Sequence, residues 1–204
     1  MRSPTIHSIT RVSLFAALIA AGSYISIPLP GSPVPVVLAN LFVVLAGIVL
    51  GARAGAASVI VYLALGAAGL PVFSAGAGGL VHFAGPTGGY LVGYLFAALF
   101  AGAVARPLLP AGVSRSHRRT AGTALFGFLA ALIGLAVIYV PGVIWMAFLL
   151  ELDAPAALTA GLIPFLPGDL AKAAAAGAAV PALVEARSSI GTMAVGRTRR
   201  DVEP

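Results

Sequence analysis

Two ionisable side chains three residues apart, Asp169 and Lys172 in the segment PGDLAK, stand at the start of an otherwise apolar run. On a helix that spacing sets them about 60° apart, on one face and within reach of each other. While ionised, Asp169 only accepts hydrogen bonds and Lys172 donates three, so together they offer a ligand both kinds of partner. Placing either in a membrane helix costs roughly 2.5–3.5 kcal/mol on insertion scales, so such residues face a bundle interior or a cavity. The pair is therefore read as the floor of a binding site. The alternative is a neutralised structural ion pair that locks helix to helix.

Few other polar groups are at hand. Asn40, Thr87, Tyr90 and Tyr139 are candidates for neutral contacts, and Phe73, Phe83 and Trp145 for apolar walls, although aromatics near span ends also serve as interfacial anchors. A mostly apolar pocket with one acid and one base fits a small amphiphilic solute and fits an ion conduit poorly. The chain has no cysteine, which excludes disulfides, thiolate metal sites and thiol nucleophiles. His82 has no second histidine or carboxylate at metal-ligand spacing and is read as a loop or interfacial residue. The Walker pattern needs Gly-Lys, but the only lysine, Lys172, follows Ala171. Asp169 with Lys172 alone makes a poor hydrolytic set, so neither enzymatic activity nor a cofactor is expected.

The elements that must position these residues are set by composition. Hydrophobic residues make up 60% of the chain and charged residues 9%, against about 25% charged in soluble domains. Apolar runs of this length signal an all-α integral membrane protein. The net charge of +6 comes from basic residues between the apolar runs, which reflects positive-inside bias rather than nucleic-acid binding. Six transmembrane helices are expected, at about 12–27, 36–50, 55–68, 90–105, 121–150 and 166–186. The fifth exceeds one crossing, so tilt, a kink near Pro141 or a partly re-entrant end is expected.

With both termini cytoplasmic, the basic leader, the Arg53 turn, the loop of Arg115, His117, Arg118 and Arg119, and the tail of Arg187, Arg197, Arg199 and Arg200 share the cytoplasmic side. Asp169 and Lys172 then sit near the outer end of the last helix, where Asp169 also gains from the helix dipole. Two units follow, a six-helix substrate-binding domain over 1–187 and a polar basic tail over 188–204, expected to be mobile. A cleaved signal peptide is the competing reading of the first apolar run. As a retained helix it carries Ala16 with Ala20 and Ala17 with Ala21 at small-xxx-small spacing, which suits close packing within the bundle or against another subunit.

PLPGSPVP (28–35) is expected to be a stiff uncharged loop, and Pro167 suits the first turn of the last helix. A short interfacial turn is expected at 158–164. The segment 69–89 is rich in glycine and free of charge, too flexible for a regular helix and too apolar for an ordinary solvent loop. Irregular backbone at membrane depth is tolerated where protein buries it or it lines a cavity, so a lid folded over a pocket is expected here.

The segments GLPVFSAGAGGLVHFAGPTGGYLVGY (69–94) and PFLPGDLAKAAAA (164–176), with the small-residue first helix, resemble the BioY family, the biotin-binding S components of energy-coupling-factor (ECF) transporters. The likeness covers nearly the whole chain to about Arg187. It implies that the GDxxK residues Asp169 and Lys172 contact biotin and that Gly85, Thr87, Gly88, Gly89 and Tyr90, with the loop from Gly69, shape and close the pocket. It further implies that Ala16, Ala17, Ala20 and Ala21 meet a transmembrane coupling subunit working with separate ATPase subunits in a prokaryotic cytoplasmic membrane. Biotin's ureido N–H groups suit Asp169, its ureido oxygen or carboxylate suits Lys172, and its thioether ring and valeryl chain suit apolar walls. The acid and base are expected to serve one end of the ligand, leaving the other to Asn40 or loop backbone. The alternatives are an S component for another vitamin, a small intramembrane enzyme, and a structural bundle subunit.

Overall fold

The computed structural model describes residues 6–106 and 117–200. Arg2, Arg115 and residues 201–204 lie outside them, as do the side chains at 117–120, 184 and 186–200; the expected charge pattern of the leader, basic loop and tail falls there.

The chain opens with α1 (Ile6–Tyr24), which already includes Arg11. A loop follows, closed at its base by two short antiparallel strands, β1 (Ser26–Ile27) and β2 (Val36–Val37), paired Ser26 to Val37 and Ile27 to Val36. The prolines between them prevent a helix, and this ladder satisfies backbone groups instead. The Leu38 amide then bonds back to the carbonyls of Gly22 and Ile25, at 3.2 and 3.1 Å, tying the loop to the end of α1.

Two short helices come next, α2 (Ala39–Leu50) and α3 (Ala52–Ala67), separated by Gly51 alone. Gly51 has φ +89°, in the left-handed region where glycine avoids the Cβ penalty. Helix α5 (Gly88–Ala105) packs on both. The three meet backbone to backbone. A Cβ on Gly47 would fall 2.3 Å from the Ala98 carbonyl oxygen, on Gly55 2.6 Å from Gly47 Cα, and on Gly102 2.4 Å from the Ala52 nitrogen. Lipid tails supply no hydrophobic drive between membrane helices, so close approach of this kind carries the association through van der Waals contact.

Between α3 and α5 the glycine-rich segment forms a 3-10 turn at Ser74–Gly76 and one short helix, α4 (Val81–Ala84). It is docked rather than splayed. Gly79 donates to the Gly66 carbonyl at 2.7 Å, Tyr24 donates its hydroxyl to the Pro71 carbonyl, and the Phe73 ring lies where a Cβ on Gly66 would stand.

Helix α6 (His117–Leu149) runs through Pro141 without interruption. Its apolar part, Ala121–Leu149, spans 29 residues, about 43 Å and more than one hydrocarbon core. The short turn expected at 158–164 is a longer feature. Asp153 caps α7 (Ala154–Gly161) by accepting from the Ala156 amide at 2.9 Å, and a 3-10 turn at Ile163–Phe165 leads into α8 (Leu166–Arg200). The backbone of α8 stays helical to Arg200, past the boundary that the polar composition places at residue 187.

Among the described residues, four segments are long and apolar enough to cross a membrane: Ile6–Tyr24, Gly88–Ala105, Ala121–Leu149 and Ala154–Leu183. Helices α2 and α3 are apolar but shorter. The core between the helices is built largely of alanine and valine, with Val43, Val59, Ala97, Ala101, Ala130, Ala173 and Val180 wholly buried. Large aliphatic and aromatic side chains such as Phe100, Leu125, Ile144 and Phe148 point outward, the inverse of a soluble protein and the arrangement a bilayer solvates.

Candidate functional site

The first turn of α8 brings Asp169 and Lys172 together as their spacing predicts. Lys172 Nζ donates to Asp169 Oδ1 at 2.9 Å, and the two residues are only 3% and 8% exposed. The other carboxylate oxygen, Oδ2, accepts the hydroxyl of Tyr139 from α6. Both oxygens of a buried acid are thus engaged by donors from two helices, which is what keeps a charge tolerable there.

Around this centre stands a wall of phenols. The Tyr139 ring meets Tyr90 edge-on, with centroids 6.2 Å apart at 90°, and lies 6.2 Å from Phe165. Tyr90 donates to the Gly161 carbonyl at 2.8 Å, joining the start of α5 to the end of α7. Its ring fits because Gly142 and Gly161 have no side chains: a Cβ on either would come within 2.5–2.6 Å of Tyr90. One turn further along α5, Tyr94 donates to Asn40 Oδ1 at 2.7 Å. Asn40 is thereby buried and satisfied on α2.

Tyr90 and Tyr94 also help to line a small, partly open cavity of about 40 Å³, together with Ser23, Tyr62, Phe73, Thr87 and His82 among others. Ser23 Oγ and the Tyr62 hydroxyl are 2.8 Å apart, and the serine also donates to the Ile19 carbonyl at 3.1 Å. With the serine proton so used, Tyr62 is the donor between them. Phe73 packs edge-on against Tyr62, Phe83 and His82, with centroid separations of 5.5, 5.8 and 6.0 Å.

Of the expected site residues, Asp169, Lys172, Tyr139 and Tyr90 form one connected cluster. Asn40 joins its edge through Tyr94. Phe73 and Thr87 line the small cavity instead. Gly88 and Gly89 are packing residues in this geometry, since a Cβ would stand 2.0 Å from the Phe83 carbonyl oxygen and 2.3 Å from that of Pro141. Gly85 contributes its carbonyl, which accepts from Trp145 Nε1 at 2.9 Å and pins the GPTGGY segment to α6. Trp145 is thus a strut rather than a pocket wall.

The alanines of α1 divide. Ala16 is 3% exposed and spent on internal packing, Ala20 is half-buried, and Ala17 and Ala21 lie on the outer face; the four do not form one smooth surface. Ser23, Tyr62, Tyr94 and Gly161 were not expected. The spacing of Tyr90 and Tyr94, four residues apart and hence on one helix face, is a signal that could have revealed Tyr94. Among the described residues no three histidine or acidic side chains stand close enough to hold a metal ion.

Apolar helices with outward-facing aliphatic side chains around a buried acid–base pair define a multi-pass membrane protein with a polar centre. A model of the BioY family matches residues 1–189, and the chain belongs to that family. It is 38% identical over 168 residues to a probable biotin transporter BioY of Pyrococcus horikoshii, covering 82% of this chain and 90% of that protein. With the biotin transporter BioY of Rhodobacter capsulatus it shares 40% identity over 192 residues, covering 90% and 96%. The crystal structure of the S component for biotin from an ECF-type ABC transporter superposes with a TM-score of 0.78 at 30% identity, over 91% of this chain and 94% of that one.

Proposed function

We propose that this chain captures biotin and is the substrate-binding subunit of an ECF-type uptake system, a binding component rather than an enzyme. The observation that carries this reading is the buried Asp169–Lys172 pair, completed by Tyr139, at the head of α8 in a BioY-family chain. In this structure each charge is neutralised by the other. A ureido N–H can take the place of the Tyr139 hydroxyl on Asp169, while Lys172, with three N–H donors, bonds a ligand oxygen and keeps Asp169 Oδ1, so that neither ion is left unpaired. Asn40 and Tyr94 stand at the cluster's edge for the remaining polar contacts.

The finer topology belongs to the same proposal. Helices α1, α2, α3, α5, α6 and α8 are the six transmembrane elements, with both termini cytoplasmic and Asp169 near the outer surface of a prokaryotic cytoplasmic membrane. The segment 69–89 is the lid. The cavity beneath it measures about 40 Å³, well under the roughly 300 Å³ of a small-molecule pocket, so a ligand entering from this side lifts the segment from α3, which recloses behind it. Ala17 and Ala21, on the outer face of α1, are the remaining small-residue contacts for a coupling subunit, and ATP hydrolysis falls to separate subunits.

Equilibrium binding of biotin to the detergent-purified chain tests this, with excess thiamine or riboflavin as competitor. Tight binding unaffected by the competitors and weakened in Lys172→Ala is expected; displacement by either vitamin would assign another substrate.

A further inference from the structure

A second, larger cavity of about 700 Å³ lies between α6, α7 and α8. Leu135, Ala136, Val140, Val143, Leu162 and Leu166 supply its walls, and the phenol of Tyr139 and the carboxylate of Asp169 its polar end. Its mouth is set among exposed aliphatic side chains, Val140 at 62% and Ile144 at 65%, on the face that meets the bilayer. The same acid serves both features: Lys172, which does not line this cavity, bonds its Oδ1, and the residue is also part of the cavity wall.

We propose that this cavity is a second binding site, taking an uncharged single-chain amphiphile with a hydroxyl head from the surrounding membrane. Its volume falls within the range of about 300–1,000 Å³ typical of ligand sites. A cavity lined by leucine and valine excludes water and accepts an apolar chain. The head is specified by charge. Asp169 is the only charged side chain lining the cavity among the described residues, and Lys172 already neutralises it, so the polar end carries no net charge and a charged head would lose its hydration there without compensation. Asp169 Oδ2 keeps a lone pair beyond the one taken by Tyr139, and the phenol oxygen keeps its own, so a hydroxyl finds acceptors at that end. An amphiphile seated there competes for the oxygen that a ureido N–H would use. This linkage rests on the proposed biotin function; the cavity's occupancy does not.

Native mass spectrometry of the purified chain with monodecanoylglycerol, decanoate or decylammonium separates the cases. The expected result is one retained monodecanoylglycerol per chain, little of either ion, and roughly tenfold weaker retention in Ala136→Trp, which fills the cavity from its wall. Val140→Trp serves the same purpose should Ala136→Trp not fold. Equal retention of the ions, or retention unchanged in a folded tryptophan variant, overturns the site. Biotin titrations in the same samples then read the linkage: a raised Kd with monodecanoylglycerol in the wild type, absent in the tryptophan variant, is expected, and an unchanged Kd overturns competition. A chain that retains the amphiphile but binds no biotin would refute the function and leave the site standing.

Discussion

Tyr139 donates its hydroxyl to the one oxygen of Asp169 that Lys172 leaves free, so a phenol from α6 completes an ion pair held within α8. On the proposed function, Tyr139 occupies the place of a ligand donor. Tyr139→Phe should lower the melting temperature of the unliganded chain, since losing a hydrogen bond to a buried charged group costs about 1.5–3 kcal/mol, or roughly 2–4 °C per kcal/mol at this chain length. Biotin affinity should rise by roughly ten- to a hundredfold, because only the wild type gives up that bond on binding. The rise in melting temperature on adding biotin should therefore be larger in the variant; a collapse of affinity would show that the hydroxyl itself holds the ligand.

Breaking the ion pair from one side should be worse than removing it. Lys172→Ala leaves a buried carboxylate without its cation, at a cost of about 3–5 kcal/mol. Asp169→Asn combined with Lys172→Met leaves no charge, so its melting temperature should lie above that of Lys172→Ala, although both proteins should bind biotin more weakly than the wild type. Thermal unfolding of the three proteins in one detergent orders them.

The contact between Tyr90 and Gly161 is tight enough to be read by a double-mutant cycle. A Cβ on Gly161 would stand 2.6 Å from the Tyr90 hydroxyl, so Gly161→Ala should destabilise by about 1–3 kcal/mol through overpacking. On a Tyr90→Phe background one clashing atom and its hydrogen bond are gone, while the Met146 Cε, also 2.6 Å away, remains. The alanine should then cost at least about 0.5 kcal/mol less, the signature of coupled neighbours.

Glycine substitutions should divide by what the added carbon meets. Gly47→Ala directs a Cβ to 2.3 Å from the Ala98 carbonyl oxygen, and a loss of folded yield in the membrane is expected. Gly122, on α6, has nothing within 4 Å, so Gly122→Ala should stabilise by about 0.5–1 kcal/mol through helix propensity. Comparing size-exclusion profiles and melting temperatures of the two variants checks both.

Local features were legible before the structure and tertiary ones were not. The Asp169–Lys172 bond follows from three-residue spacing on a helix, and the long apolar runs of α5 and α6 follow from composition alone. The docking of the uncharged segment 69–89 against protein also matches its glycine content. By contrast, Tyr94 with Asn40, Ser23 with Tyr62 and Tyr90 with Gly161 are separated by 54, 39 and 71 positions, and nothing in a single sequence pairs them. Helix α7 is a different kind of omission: Asp153 followed by Pro155 is a readable start signal, an N-cap before a first-turn proline. The division of Ala16 from Ala17 and Ala21 depends on how α1 is rotated against α2 and α3, which alanine periodicity does not specify.

Helix α2 touches α1, α3, α5, α6 and α8, and none of its twelve residues is exposed. With nine of the twelve buried and Leu41, Phe42 and Leu50 partly so, it offers little surface to acyl chains, so bilayer thickness exerts little selection on its length. A helix of about 18 Å suffices for a scaffold post, though it falls short of the hydrocarbon depth of about 30 Å. The same packing frees it from the penalty that lipid imposes on polar groups: Asn40 sits buried on α2, bonded to Tyr94 as it would be in a water-soluble protein, while the surrounding helices chiefly answer to the membrane.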